Sequence, residues 1–148
     1  MNCPECGALS TPWMNCQTVF DECLVKEFTD PEFGAVHHLT VATFMLQHSS
    51  KLSPQGWLSM RQLLRDFLIG NKSPLEIRKQ NKNFVDSGKR NWKISSPDGL
   101  GFITKNSWSK TILDVRLDNG GTYCADVTEW ARAVLEDSEE ITLSEPGN

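Results

Sequence analysis

Two cysteines near the start of the 148-residue chain, Cys3 and Cys6, have the type and spacing that most clearly indicate chemistry. They stand in the sequence Cys-Pro-Glu-Cys-Gly, where two thiolates can reach one ion and Gly7 allows the tight turn that follows. Two-residue spacing is the usual half-site of a structural zinc ion. The pair therefore predicts half of a tetrahedral metal site. A metal-free redox pair is the alternative, but no βαβ pattern of a thioredoxin-like protein surrounds it.

The two missing ligands must come from a short set of other residues. The candidates are Cys16, Cys23, Cys124, His37, His38 and His48. At about 1.5 Å per residue, His37 and His48 lie roughly 16 Å apart along one helix, so they cannot bind the same ion. Of the cysteines, Cys23 and Cys124 are predicted to belong to the apolar core.

A helical hairpin supplies the remaining ligands. If two antiparallel helices are joined near residue 31 or 32, Cys16 at the start of the first helix faces His48 at the end of the second. We therefore predict a zinc site made by Cys3, Cys6, Cys16 and His48. Four protein ligands leave no open position for a substrate, so the zinc would be structural.

The elements that hold these residues are predicted to be helices, because apolar residues recur at steps of three and four. The chain then forms an all-α, irregular helical bundle with the zinc knuckle packed on a helical hairpin. The first predicted helix covers residues 15–28, and the second begins within Pro31–Gly34 and ends at Gln47 or His48. The third lies between its cap at Ser53 and Gly70, and a short fourth helix begins at the Ser73–Glu76 capping box. The last predicted helix is marked by the apolar residues Val127, Trp130, Ala131 and Val134. Residues 81–106 are predicted to be a long loop, Trp108–Val115 a short helix or strand, and Asn119–Gly121 a turn.

Length and composition favour one domain over residues 1–137, followed by an acidic tail over 138–148 that is predicted to be disordered. No apolar run approaches a membrane span, and the N-terminus lacks the build of a secretion signal. We therefore expect a cytoplasmic protein. In that compartment thiols stay reduced, and an odd count of five cysteines fits metal ligands better than disulfides.

Charge is unevenly distributed. Residues 51–110 hold twelve Lys/Arg against four Asp/Glu, a net charge of +8, while the segments on either side are acidic. Within the basic part, residues 72–93 mix basic and aromatic side chains as single-strand nucleic-acid binders do. A solvated loop, with charge neutralised by the acidic ends, is the simpler interpretation.

The first half of the chain resembles a family of small uncharacterised bacterial proteins, a domain of unknown function with an N-terminal C-P-x-C-G and a G-x-V-H-x-L-T-V-D-x-Y-x-x-Q-H segment. The matching residues are Cys3-Pro4-Glu5-Cys6-Gly7, Gly34-Ala35-Val36-His37-His38-Leu39-Thr40-Val41, Gln47-His48 and a closing Trp130-Ala131. The resemblance implies that His37 and His48 both belong to a family pattern, but it supplies no activity. Ala42 and Phe44 depart from it where Asp and Tyr are expected.

Three functions stay open, and the sequence favours the one without catalysis. It is a zinc-binding helical interaction or regulatory module, with a protein as its partner. The second is nucleic-acid binding through the basic segment 72–93. The third is a metal-dependent hydrolase or transferase with His37 as general base or extra ligand, which would need an open metal position.

Overall fold

The computed structural model of the protein describes residues 3–9, 11, 14–49, 52–73, 75, 76, 79 and 108–141. Within these ranges the chain is helical and contains no strand, which confirms the all-α prediction. The helices are α1 (Cys16–Thr29), α2 (Pro31–Gly34), α3 (His37–Gln47), α4 (Pro54–Leu68) and α5 (Gly120–Ser138), with a 3-10 turn at Ile112–Asp114 before α5. The predicted loop 81–106 and residues 142–148 of the predicted tail lie outside the described residues.

Helix α1 begins and ends where its sequence predicts. The side chain of Asn15 caps it by accepting a hydrogen bond from the Thr18 amide at 2.9 Å, which satisfies one of the free N–H groups of the first turn. Asp30, which precedes Pro31, takes extended geometry and ends the helix. The cap places Cys16 in the first turn, on the face that is buried.

The helix predicted from Pro31–Gly34 to Gln47 or His48 is divided into α2 and α3. The break lies at Ala35 and Val36, where Val36 leaves helical geometry with φ −112° and ψ 15°. Gly34 explains the close turn, since a Cβ there would lie 2.7 Å from the Glu27 carbonyl oxygen of α1. The hairpin therefore consists of α1 and α3, with α2 as its connection.

The prediction of a turn at Asn119–Gly121 is wrong, because these residues begin α5. The Asn119 side chain accepts a hydrogen bond from the Thr122 amide at 2.9 Å and so acts as an N-cap. Asparagine suits turns and helix caps alike, which is why the local sequence misleads. Gly120 also permits close packing on α2, since a Cβ there would lie 2.5 Å from the Glu32 Cβ.

The core lies where α3 packs against α4 and α5, and it contains the fully buried Trp57 and Trp130. Both indoles are tied to the end of α3. Trp57 Nε1 donates to the Leu46 carbonyl at 3.1 Å, and Trp130 Nε1 donates to the Gln47 side-chain oxygen at 3.0 Å. Gln47 Nε2 in turn donates to the Lys110 carbonyl at 2.7 Å. These bonds fix the C-terminal end of α3, next to His48.

Contacts continue past the predicted domain boundary at residue 137. Ser138 is fully buried in the last turn of α5, and Arg61 of α4 donates to the carbonyls of Ser138 and Ile141 at 3.0 and 3.3 Å. Contacts between α4 and the C-terminal part of the chain therefore continue past the end of α5 to Ile141.

Earlier in the chain, Ser73 caps a turn in which Leu75 and Glu76 are helical, as its capping-box signature predicts. No helix in the part of the chain that the structure describes is long and apolar enough to span a membrane.

Candidate metal centre

The N-terminal arm, residues 3–9, folds into a tight knuckle around its two cysteines. The Gly7 amide donates to the Cys3 carbonyl at 2.9 Å, and the Cys3 amide donates to the Ala8 carbonyl at 2.8 Å. Gly7 has φ +79°, a left-handed geometry that a side chain disfavours. The Ala8 amide points at the Cys6 sulfur, 3.4 Å away. The arm thus directs two sulfurs to the same side.

The hairpin brings the other two candidate ligands to the arm. Helices α1 and α3 run antiparallel, with the Phe20 ring stacked on Phe44 at a centroid distance of 4.0 Å. One turn further along each helix, Cys16 and His48 meet. The ligand atoms of Cys3, Cys6, Cys16 and His48 all lie within 4.8 Å of one another, and they form the one such group of His, Cys, Asp and Glu side chains among the described residues.

The His48 imidazole is oriented by the protein. Its Nδ1–H donates to the Phe44 carbonyl at 2.8 Å, and its ring stacks on Phe44 at a centroid distance of 4.0 Å. The other nitrogen, Nε2, is buried and has no hydrogen-bond partner among the described residues. Burial lowers the pKa of His48. The ring is therefore neutral at pH 7, with an Nε2 lone pair that is available to accept a hydrogen bond or to bind a metal ion.

The three thiols differ in how readily they ionise. Burial raises the pKa of Cys16 to about 11, with the nearby Cys3 adding to the shift, and burial also raises the pKa of Cys6 well above its usual value. Burial opposes ionisation of Cys3 too, but the amides of Cys6 and Glu5 and the two neighbouring thiols hold its pKa below the usual value. Three thiolates in one small volume repel each other, so a cation is needed for all three to ionise.

The size and chemistry of the cluster fit a single metal ion. Donors of a tetrahedral zinc site at about 2.3 Å from the metal lie roughly 3.8 Å from one another, inside the 4.8 Å spread of these ligand atoms. Three sulfurs and one imidazole form a soft, nitrogen-containing donor set, which hard cations such as Mg²⁺ and Ca²⁺ do not favour. Cys3 and His48 are half-buried, whereas Cys6 and Cys16 are buried.

A second polar centre, which the sequence did not predict, lies toward the opposite end of α1. The Glu27 side chain is fully buried, and its Oε1 accepts from His37 Nδ1 at 2.7 Å. Its Oε2 accepts from the Thr40 hydroxyl at 2.6 Å and from the Tyr123 hydroxyl. Burial and the Glu27 carboxylate raise the pKa of Tyr123, so its hydroxyl stays a donor. The Glu27 centre links α1, α3 and α5, and it includes His37. The one hint in the sequence is that Glu27 follows Cys23 by four residues on the buried face of α1.

The remaining candidate ligands lie apart from the metal centre. Cys23 is fully buried in the core, and burial raises its pKa to about 11. Cys124 is half-buried and donates its S–H to the Glu32 carbonyl at 3.1 Å. His38 packs with the Phe67 ring of α4 at a centroid distance of 4.4 Å. The basic segment 72–93 falls mostly outside the described residues.

The fold and the cluster define an all-α protein with a Cys₃His group that could hold a metal ion. Residues 1–139 match a family described as a family of unknown function, DUF5946. The chain belongs to this family. The searches of curated proteins and of solved structures found no match to this chain.

Proposed function

We propose that the protein is a zinc-stabilised helical module in which Cys3, Cys6, Cys16 and His48 bind one structural Zn²⁺. The observation that carries this proposal is the buried Nε2 of His48, which has no hydrogen-bond partner in the described part of the chain. An imidazole that is already oriented through Nδ1 leaves Nε2 for a ligand. The close approach of three thiols to the same residue supports a metal ion as that ligand.

Zinc fits this donor set best. Structural zinc sites are tetrahedral and use cysteine and histidine in sets such as Cys₃His. The protein supplies the outer contacts that such sites need, with the Phe44 carbonyl behind His48 and the Ala8 amide at the Cys6 sulfur. All five cysteines are free, which agrees with a protein of the reducing cytoplasm.

The zinc has a structural role in this proposal. Four protein donors complete a tetrahedron and leave no position for substrate or activated water. His37, the residue that a hydrolase would use as a base, lies with Glu27 toward the opposite end of the hairpin and is not part of the cluster. The zinc instead fastens the N-terminal arm to α1 and α3. The module then acts on a protein partner through the surface that this arrangement creates, as an interaction or regulatory domain.

Metal content of purified variants tests the proposal. Mass spectrometry of wild type is expected to find about one zinc per chain, held through washing with a weak chelator. Cys16→Ser and His48→Ala, measured separately, should each lose tight binding. Cys124→Ser is the matched control, since Cys124 lies outside the cluster, and it should keep its zinc. If Cys16→Ser and His48→Ala both retain a full, tight equivalent, the ligand set is wrong.

A further inference from the structure

The three cluster cysteines differ in their access to solvent. Cys6 and Cys16 are buried, at 3% and 8% exposure, whereas Cys3 is half-buried. Cys3 is therefore the most solvent-accessible of the three cluster cysteines.

We propose that the metal centre is a peroxide-sensitive latch, in which oxidation of Cys3 releases the metal and frees the N-terminal arm from the hairpin. This inference rests on the proposed zinc site and adds its regulation. The oxidant class is hydrogen peroxide or an organic hydroperoxide. The second thiol needed to complete the reaction is already within the cluster, as Cys6 or Cys16.

The reaction balances with two cluster cysteines and one peroxide molecule. The Cys3 thiolate attacks the peroxide O–O bond, which breaks to give a Cys3 sulfenic acid and a leaving anion, hydroxide from hydrogen peroxide or alkoxide from an organic hydroperoxide, that takes a proton from water. The thiolate of Cys6 or Cys16 then attacks the sulfenic sulfur, the S–S bond forms, and the departing hydroxide takes a proton to become water. Two electrons pass from the two thiolates to the peroxide. A disulfide no longer offers two thiolate donors, so the metal keeps two of its four ligands and dissociates.

The structure also indicates what release would change. The described arm is held by burial of Cys6 and Ala8 and by a hydrogen bond from Trp108 Nε1 to the Glu5 carbonyl at 3.3 Å. The end of α3 is held separately, through Gln47 and the indoles of Trp57 and Trp130. Loss of the metal should therefore loosen the arm while the packing of α3 with α4 and α5 persists.

The test uses the full-length, zinc-loaded protein and hydrogen peroxide. Zinc release is followed with a chromophoric chelator, disulfides are mapped by mass spectrometry, and the arm is probed by limited proteolysis. We expect about one zinc released per chain, a disulfide that contains Cys3, and cleavage within the arm, all reversed by a thiol reductant with added zinc. Cys124→Ser should behave as wild type, because the half-buried Cys124 is not in the cluster.

Three results would contradict the latch, and one of them would also contradict the zinc site. If zinc stays bound at a peroxide concentration that oxidises free cysteine added to the same sample, the latch is wrong and the zinc site stands. A disulfide that excludes Cys3 also overturns the latch. If the protein holds no zinc before peroxide is added, the proposed function fails and the latch fails with it.

Discussion

The two imidazole nitrogens of His48 differ in their contacts, because Nδ1 is hydrogen-bonded within the protein and Nε2 is available to a ligand. Its Nδ1 is bonded to the Phe44 carbonyl, and stacking on the Phe44 ring removes much of its rotational freedom. Phe44 stands where the sequence resemblance leads us to expect a tyrosine, yet the ring and the backbone carbonyl that His48 uses are present in both residue types. The departure at this position therefore leaves the orientation of the ligand intact.

The raised pKa values of two thiols predict how metal binding depends on pH. Cys6 and Cys16 are protonated at pH 7 in the metal-free protein, whereas His48 is neutral. Binding must therefore displace at least two thiol protons, so affinity falls as pH falls, by about 100-fold per pH unit for two protons. Because burial lowers the pKa of His48, its protonation adds to the loss only at pH values below the ordinary histidine pKa of about 6.5.

A competition titration with a chelator of known affinity, repeated at several pH values, measures this dependence. Proton release into a weakly buffered indicator solution provides an independent count of displaced protons. An affinity that stays constant between about pH 6.5 and 8 would contradict thiolate ligation at Cys6 and Cys16.

Removal of the Glu27 side chain is expected to lower the stability of the protein. Its buried carboxylate accepts hydrogen bonds from His37, Thr40 and Tyr123. Glu27→Ala leaves the Tyr123 hydroxyl buried without its acceptor and breaks the link to His37, so we expect a loss of roughly 3 kcal/mol in the free energy of unfolding.

Urea unfolding of the metal-loaded protein measures this loss. Glu22→Ala is the matched control, because Glu22 lies on the same helix and is exposed. If the two variants lose stability equally, the Glu27 centre does not hold the helices together.

At the scale of elements, the α1–α3 hairpin determines whether the ligands meet. The connection between the two helices must place Cys16 opposite His48, and a shift of one residue along either helix would move a ligand by about 1.5 Å and rotate it by roughly 100°. Three contacts fix this alignment: the Phe20–Phe44 stack, the Glu27–His37 bond and the close turn at Gly34.

Gly34→Ala tests the turn. The added Cβ would lie 2.7 Å from the Glu27 carbonyl oxygen, a backbone atom that cannot move without shifting α1. We expect a loss of about 1–3 kcal/mol in stability together with weaker zinc binding. Gly121→Ala is the control, since the nearest atom to its added Cβ is 3.6 Å away, and it should change stability by less than about 1 kcal/mol. Equal effects of the two substitutions would show that the turn does not position the ligands.

Over the whole molecule, local signals predicted the elements better than their connections. Capping by Asn15 and Ser53 and the spacing of apolar residues were enough for α1 and α4. The division between α2 and α3 was not predicted, because it depends on contact of Gly34 with a different helix. The start of α5 was missed for a different reason. An asparagine before two glycines suits a turn and a helix cap equally, so the local sequence at Asn119 does not distinguish them.

The residues of the candidate metal site could be predicted from the sequence, whereas those of the Glu27 centre could not. Cys3 and Cys6 follow from their spacing, and Cys16 and His48 follow from the symmetry of a hairpin. The Glu27 centre could not be predicted, because Tyr123 lies 96 residues away and a glutamate on an apolar face carries no sign of its partners. Pairing across such a distance is decided by the packing of α5, which local sequence does not encode.

The central claim is that three sulfurs and one nitrogen of this chain surround a single zinc ion. X-ray absorption spectroscopy at the zinc edge of the purified protein tests it most directly. We expect three sulfur scatterers at about 2.3 Å and one imidazole nitrogen at about 2.0 Å, with no bound water. A shell with two or fewer sulfurs, or with an oxygen in place of the imidazole, would contradict it.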